Sequence, residues 1–263
     1  MATVDELKRK LKFEDLVKGF RQVGLTAGDT VLVQSSFIPL RKAQGGPRTV
    51  IEALLAVLAP EGTLIMPTFN WADFGEKKFY SQRTTKPQTG ILTELFMNWE
   101  GCQRIYHPFH GFSLVGKLAQ ELAQKVKNRS SFEASSLFGK LHRMNAKLML
   151  LGVDYRQGFS FFHYVEESVG VPYRKFLTLR GKMEKLDGTI HDIEIPYYGR
   201  ASLSEEYNLD KIAPILEEDC SVVVTGSIGM CPVKVVRAKE AYDLLATALK
   251  KNPNLVCIKR FDS

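Results

Sequence analysis

The chain has 263 residues, 44% of them hydrophobic and 25% charged. A chain of this size buries roughly 75% of its unfolded surface, which excludes a disordered, collagenous or coiled-coil protein. Its 36 basic and 29 acidic residues leave a net charge of +7, which favours an anionic ligand. No run of five like charges and no strip of interleaved basic and aromatic residues occurs, so nucleic acid is not an expected partner.

The longest apolar run, Ala53 to Ala59, falls far short of the ~20 residues that cross a bilayer, so no membrane segment is expected. The N-terminal stretch from Met1 to Lys10 carries acids and lacks an apolar core, which argues against a secretory signal and for a cytoplasmic protein. Cys102, Cys220, Cys231 and Cys257 show no Cys-x-x-Cys spacing and read as reduced, mostly buried side chains.

Residues 13 to 23 have helical spacing, with Phe13, Leu16, Val17 and Phe20 on one face and Gly24 as the stop. Val31 to Val33 is an apolar, β-branched strand that runs into Gln34-Ser35-Ser36-Phe37 and a loop holding Pro39, Gly45 and Gly46. Pro47 can open a helix whose stripe is Val50, Ile51, Leu54, Leu55 and Leu58, ended by Pro60 and Gly62. Thr63 to Met66 is the next strand and Leu148 to Val153 a third. Strand, helix, strand is the crossover unit of a parallel sheet, whose doubly buried strands read as solid apolar runs.

In such sheets the ligand crevice lies beyond the carboxyl ends of the strands, here at Ser35-Ser36, Pro67-Thr68-Phe69 and Asp154-Tyr155. Residues 175 to 198 alternate about Asp187-Gly188 and predict an antiparallel hairpin insertion. A strand at Ser221 to Thr225, a glycine turn through Gly226 and Gly229, a helix near Lys239 to Lys250 and a strand at Leu255 to Ile258 complete the reading. The expected fold is α/β, a largely parallel central sheet flanked by helices, in a single domain over residues 1–263.

The densest chemical cluster is Gly158-Phe-Ser160-Phe-Phe-His163-Tyr-Val-Glu166-Glu167. On a helix, residues three and four apart are neighbours, so Ser160 is expected beside His163, and His163 beside Glu166 and Glu167. Imidazole titrates near neutral pH, and a carboxylate on its far nitrogen fixes the tautomer and steadies the imidazolium it becomes. A half-buried helix whose histidine caps a carbonyl accounts for the same spacing. Arg104-Ile-Tyr106-His107-Pro108-Phe109-His110-Gly111-Phe112 could line a pocket for a polar substrate. It lacks a third ligand within reach, so no metal is expected. His142 and His191 read as structural. The loop Ala43 to Thr49 leads into a helix N-terminus without the ending of a P-loop.

Several stretches, in this order, resemble the aminoglycoside 3-N-acetyltransferase family, also called antibiotic N-acetyltransferases. They are Gly24-Leu-Thr-Ala-Gly-Asp29, Val33-Gln-Ser-Ser-Phe37, Gly45-Gly46 with the helix after it, and Glu61-Gly-Thr-Leu-Ile-Met-Pro-Thr68. His107-Pro108, Phe112 with Gly116, Ser135-Ser-Leu-Phe-Gly-Lys-Leu141, Leu150-Leu-Gly-Val153 and Ser160-x-x-His163-x-x-Glu166 continue the match. The resemblance implies an α/β fold unlike the GCN5-type acetyltransferases. It also implies transfer of an acetyl group from acetyl-CoA to an amine of an aminoglycoside or another amino sugar.

Position by position, the resemblance implies that His163 is the catalytic histidine, Glu166 its acidic partner with Glu167 as rival, and Ser160 a hydroxyl where threonine is usual. His107 would line the acceptor pocket, and Ser35, Ser36 and Thr68 would face coenzyme A. On charge alone, lysines and Arg48 or Arg174 could attract its phosphates. Gln34 stands where a histidine often precedes the paired serines, and His110-Gly111-Phe112 alters the stretch after His-Pro. Expected partners are the amine acceptor and coenzyme A, with a homodimer as the candidate assembly. The alternatives are a coenzyme-A or nucleotide-binding module without catalysis and a serine hydrolase using Ser160, the latter disfavoured by the lack of a Gly-x-Ser-x-Gly elbow.

Overall fold

The computed structural model describes residues 10–126, 130–202 and 206–258. The N-terminal stretch weighed against a secretory signal lies outside the described residues, apart from Lys10. No helix among the described residues is long and apolar enough to cross a membrane.

The first helix, Phe13–Gln22, is started by Asp15, whose carboxylate accepts the Lys12 N–H at 3.0 Å. Leu16 and Phe20, one turn apart, are buried, whereas Phe13 is 38% exposed and does not join that face as the spacing predicted. Strands follow at β1 (Thr30–Ser35), β2 (Thr63–Phe69), β3 (Phe79–Ser81), β4 (Gln103–Ile105), β5 (His110–Gly116) and β6 (Lys147–Leu151). The later strands are β7 (Arg174–Glu184), β8 (Ile190–Arg200), β9 (Glu206–Tyr207), β10 (Val223–Ile228), β11 (Cys231–Arg237) and β12 (Cys257–Ile258).

Seven strands form the central sheet in the order β10-β11-β6-β1-β2-β5-β4. β1 pairs in parallel with β2 and with β6, while β5 and β11 pair antiparallel with both of their neighbours. Strands β10, β6, β1, β2 and β4 therefore all run one way, and β5 and β11 oppose them. The helix Pro47–Leu58 makes the crossover from β1 to β2, with Pro47 in its first turn and Val50, Ile51, Leu54 and Leu58 buried. Alternation along the strands splits the core between two faces. Val31, Val33, Met66 and Met149 pack on one side with this helix; Leu32, Ile65, Leu148 and Leu150 pack on the other with Phe138, Phe161 and Val165.

The predicted hairpin is β7 and β8, antiparallel from Arg174↔Arg200 to Glu184↔Ile190, with β3 added in parallel to β7. Four local expectations are corrected. Pro67-Thr68-Phe69 is strand, because β2 continues its ladder with β5 through Phe69↔His110. Gly226 lies within β10, opposite Val233, and only Gly229 falls in the turn. The C-terminal strand shrinks to Cys257–Ile258 and pairs with β9, off the central sheet. All four cysteines are free, but only Cys231 is buried and Cys220 is exposed.

Candidate active site

β1 and β6 end side by side, and the Ser36 N–H donates to the Leu151 carbonyl at 2.9 Å just past their ends. The chain leaves β6 through Gly152, at φ +72°, where a Cβ would stand 2.8 Å from the Ser36 carbonyl oxygen. Asp154 then caps the short helix Tyr155–Gly158 by accepting the Gln157 N–H at 2.8 Å. Ser160 heads the next helix, Phe161–Val169, which stops at Gly170 with φ +75°. A cleft of about 610 Å³ opens at this edge, with Gln34, Ser35, Ser36, Phe69, Trp71 and Ser160 among its walls. This is the crevice expected beyond the carboxyl ends of parallel strands.

The helix Phe161–Val169 buries Phe161, Phe162, Tyr164, Val165 and Glu166 and leaves the His163 side chain 27% exposed. One turn on, Glu166 Oε2 lies 2.6 Å from His163 Nδ1. Arg174, the first residue of β7, brings Nε within 2.7 Å of the same oxygen and Nη2 within 3.0 Å of Nδ1. The Tyr173 hydroxyl donates to Glu166 Oε1 at 2.9 Å. Burial alone would push the Glu166 carboxyl up, but His163, Arg174 and Tyr173 together hold it below its ordinary value. An ionised carboxylate only accepts, so the 2.6 Å contact is a hydrogen bond when Nδ1 carries the hydrogen, the tautomer that leaves the lone pair of Nε2 as the basic one. Burial, reinforced by the Arg174 guanidinium and by Arg200, lowers the His163 imidazole against the opposing pull of Glu166.

The two glutamates thus have different work. Glu167 accepts from the Ser130 hydroxyl at 2.9 and 3.0 Å and does not support His163. Burial, with Glu133 acting in the same sense, pushes its carboxyl up to about 7. The adjacent Ser131 hydroxyl is 2.6 Å from His110 Nδ1, and Phe132 sets its ring against both His110 and His163, at 4.9 and 5.3 Å between centroids. Burial, with His107, His163 and Arg174 nearby, keeps the His110 imidazole well below its ordinary value, so it is neutral.

Other expected site residues fall elsewhere. Ser35, Ser36 and Ser160 share the cleft, but Ser160 Oγ contacts Gln34 rather than His163: the Gln34 amide donates to it at 2.7 Å. Thr68 is buried in β2 opposite Gly111 and does not border the cleft, because the strand extends past the position read as a loop. His107 Nδ1 accepts the N–H groups of Phe109 and His110 at 3.1 and 3.0 Å, closing the turn after Pro108. It borders a separate cavity of about 470 Å³ beneath the hairpin, beside Met183 and Ile193. Arg48 is exposed and pairs with Glu52 one turn on, whereas Arg174 is mostly buried against Glu166. Tyr173 and Arg174 were the missed partners. The helix stop at Gly170, which leaves Tyr173 and Arg174 only a few residues past the end of the helix that carries Glu166, is the sequence signal that could have found them.

The sequence matches the family model for aminoglycoside 3-N-acetyltransferase over residues 32–250. Aminoglycoside N(3)-acetyltransferase IV from Salmonella sp is 27% identical over 240 residues, covering 89% of this chain and 85% of that protein. The crystal structure of aminoglycoside acetyltransferase AAC(3)-Xa superposes with a TM-score of 0.81 at 18% identity, over 94% of this chain and 95% of that one. AAC-IIIb, solved as a binary complex with CoASH, superposes at 0.78 and 20% identity, over 92% and 97% of the two chains.

Proposed function

The chain belongs to the aminoglycoside 3-N-acetyltransferase family and is an acetyl-CoA-dependent N-acetyltransferase, and we propose that it acetylates a primary amine of an amino sugar by direct transfer with His163 as general base. In this reading residues 1–263 act as one acyltransferase domain, in the cytoplasm.

A sugar ammonium becomes a nucleophile only when it gives up a proton, and His163 Nε2 is the acceptor for it. The nitrogen then forms its bond to the acetyl carbon, the carbon–sulfur bond breaks, the thiolate of coenzyme A leaves, and the acylated nitrogen sheds its second proton to solvent to become a neutral amide. Glu166 holds the imidazole by Nδ1 and balances the imidazolium while it exists; the imidazolium returns its proton to the departing thiolate. The oxyanion that forms in between needs a donor, and the Ser160 hydroxyl at the cleft wall supplies one. Ser35 and Ser36 offer hydrogen bonds along the same wall, between the apolar surfaces of Phe37, Ile38 and Trp71, which suits a pantetheine arm of alternating amide and methylene groups.

The observation that carries the reading is the 2.6 Å contact of His163 Nδ1 with a buried carboxylate, one helical turn from a residue lining the cleft. The Ser160 environment argues against a serine hydrolase, since its oxygen accepts from an amide and touches no base. His163→Ala should abolish thiol release from acetyl-CoA in the presence of an amino-sugar acceptor while calorimetry shows coenzyme binding intact. Retained turnover would defeat the mechanism.

A further inference from the structure

We propose that Gln34 is a positioning residue that aims the Ser160 hydroxyl hydrogen into the cleft. The proposal rests on the transfer reading above and concerns how its oxyanion donor is oriented.

The orientation of the Gln34 carboxamide is set by chemistry rather than by choice. The Ser160 backbone N–H can only donate, and it lies 3.3 Å from Oε1. Nε2 must then face Ser160 Oγ, at 2.7 Å. An amide NH2 can only donate, so the serine oxygen accepts, and its own hydrogen has to point elsewhere.

Two ordinary uses of that hydroxyl are absent. Ser160 has φ −61° and ψ −19°, helical values, and its side chain makes no cap bond to the helix it precedes. Ser136, extended at φ −68° and ψ 172°, does cap its own helix by accepting the Gly139 N–H at 3.4 Å. Nor does the Ser160 hydroxyl bond back to a carbonyl of the preceding turn, as the Ser168 hydroxyl does to Val165 at 2.8 Å. Among the described residues, Gln34 is the one hydrogen-bond partner of Ser160 Oγ, and both side chains border the cleft. The remaining direction for the hydrogen is the cleft itself.

Gln34 is well placed to impose this. It is 8% exposed, near the end of β1, held between parallel neighbours at Leu32↔Ile65 and Gln34↔Leu150. A side chain on a central strand, gripping Ser160 at two atoms, costs the site little reorganisation when charge develops. A residue at position 34 with an open acceptor could take the serine hydrogen for itself; a glutamine that already spends its oxygen on the Ser160 N–H does not. Gln34 and Ser160 touch each other across 126 residues, so the contact exists only once β1 and the helix headed by Ser160 are brought together by the fold.

The test is a kinetic cycle with acetyl-CoA and an amino-sugar acceptor. Ser160→Ala should lower kcat about 100-fold, the typical loss of one oxyanion donor, with KM for acetyl-CoA within about threefold. Gln34→Met, similar in shape but without polar atoms, should lower kcat about 10-fold in the presence of Ser160 and not at all in the Ser160→Ala background. Gln34→Glu should match Ser160→Ala, because its carboxylate captures the hydrogen; it also serves if the methionine variant fails to fold. The proposal is overturned if either Gln34 variant keeps kcat within about threefold of the unmodified enzyme, or if the losses in Gln34→Met and Ser160→Ala multiply. His163→Ala separates the two levels: turnover retained there removes the transfer reading itself, whereas turnover lost there but kept in both Gln34 variants removes only this inference.

Discussion

Glu166→Gln changes one oxygen of a buried carboxylate to an NH2 group while keeping its volume. Glu166 is 1% exposed and accepts from Tyr173 at one oxygen and from His163 at the other, which also pairs with the Arg174 guanidinium. The amide can keep the Tyr173 bond, worth about 1 kcal/mol, by leaving its oxygen there. Its NH2 then faces the Nδ1–H of His163 and the Arg174 guanidinium, both donors, and Arg174, only 9% exposed, becomes a buried cation without its counter-charge. Breaking a buried pair from one side costs about 3–5 kcal/mol. We expect a loss near 3 kcal/mol at pH 7, read as a fall of about 1 M in the urea midpoint if the slope is about 3 kcal/mol/M.

Because the carboxyl is held below its ordinary 4.5, its contribution is fully present above that pH and fades as the pH falls through the lowered value. The gap between the two proteins should therefore narrow on acidification below 4.5, and kcat at pH 7 should drop at least about 100-fold as the imidazole loses its tautomer. Urea titrations at several pH values check this. A variant within 0.5 kcal/mol of the parent, on the order of an ordinary surface substitution, or a gap that does not close in acid, would refute the buried ion-pair argument.

The low-pH limb of kcat/KM should have its midpoint below 6.5, because burial and Arg174 hold His163 down; Arg174→Met should move it upward, and a limb that stays put would deny the guanidinium that role. Phe132 is 2% exposed and wedged against His110, His163 and Phe138, so Phe132→Ala should cost about 3–5 kcal/mol in thermal or urea unfolding. A loss under about 1 kcal/mol would mean that the loop closes over the gap.

The strand, helix, strand unit from Thr30 to Phe69 and the hairpin of residues 174–200 were readable because apolar spacing and turn residues are local properties. Their ends were less so. Thr68 was misplaced because the β2 ladder with β5 carries the strand beyond its apolar run, and no local pattern announces a partner more than 40 residues away. Phe13 was misassigned because spacing places a side chain on a helix face without saying how far the neighbouring element extends.

The same division runs through the site. Residue spacing alone put His163 one turn from both Glu166 and Glu167, since 3.6 residues per turn follows from backbone geometry. The choice between them was tertiary: the Phe161–Val169 helix turns Glu166 into the core toward Tyr173 and Arg174, and Glu167 toward Ser130. The Gln34–Ser160 clamp and the separation of His107 from the cleft likewise depend on which strands lie side by side. Covalent geometry dictates what meets within a turn of helix; contacts between residues far apart in the chain exist only once sheet order and register have brought their strands together.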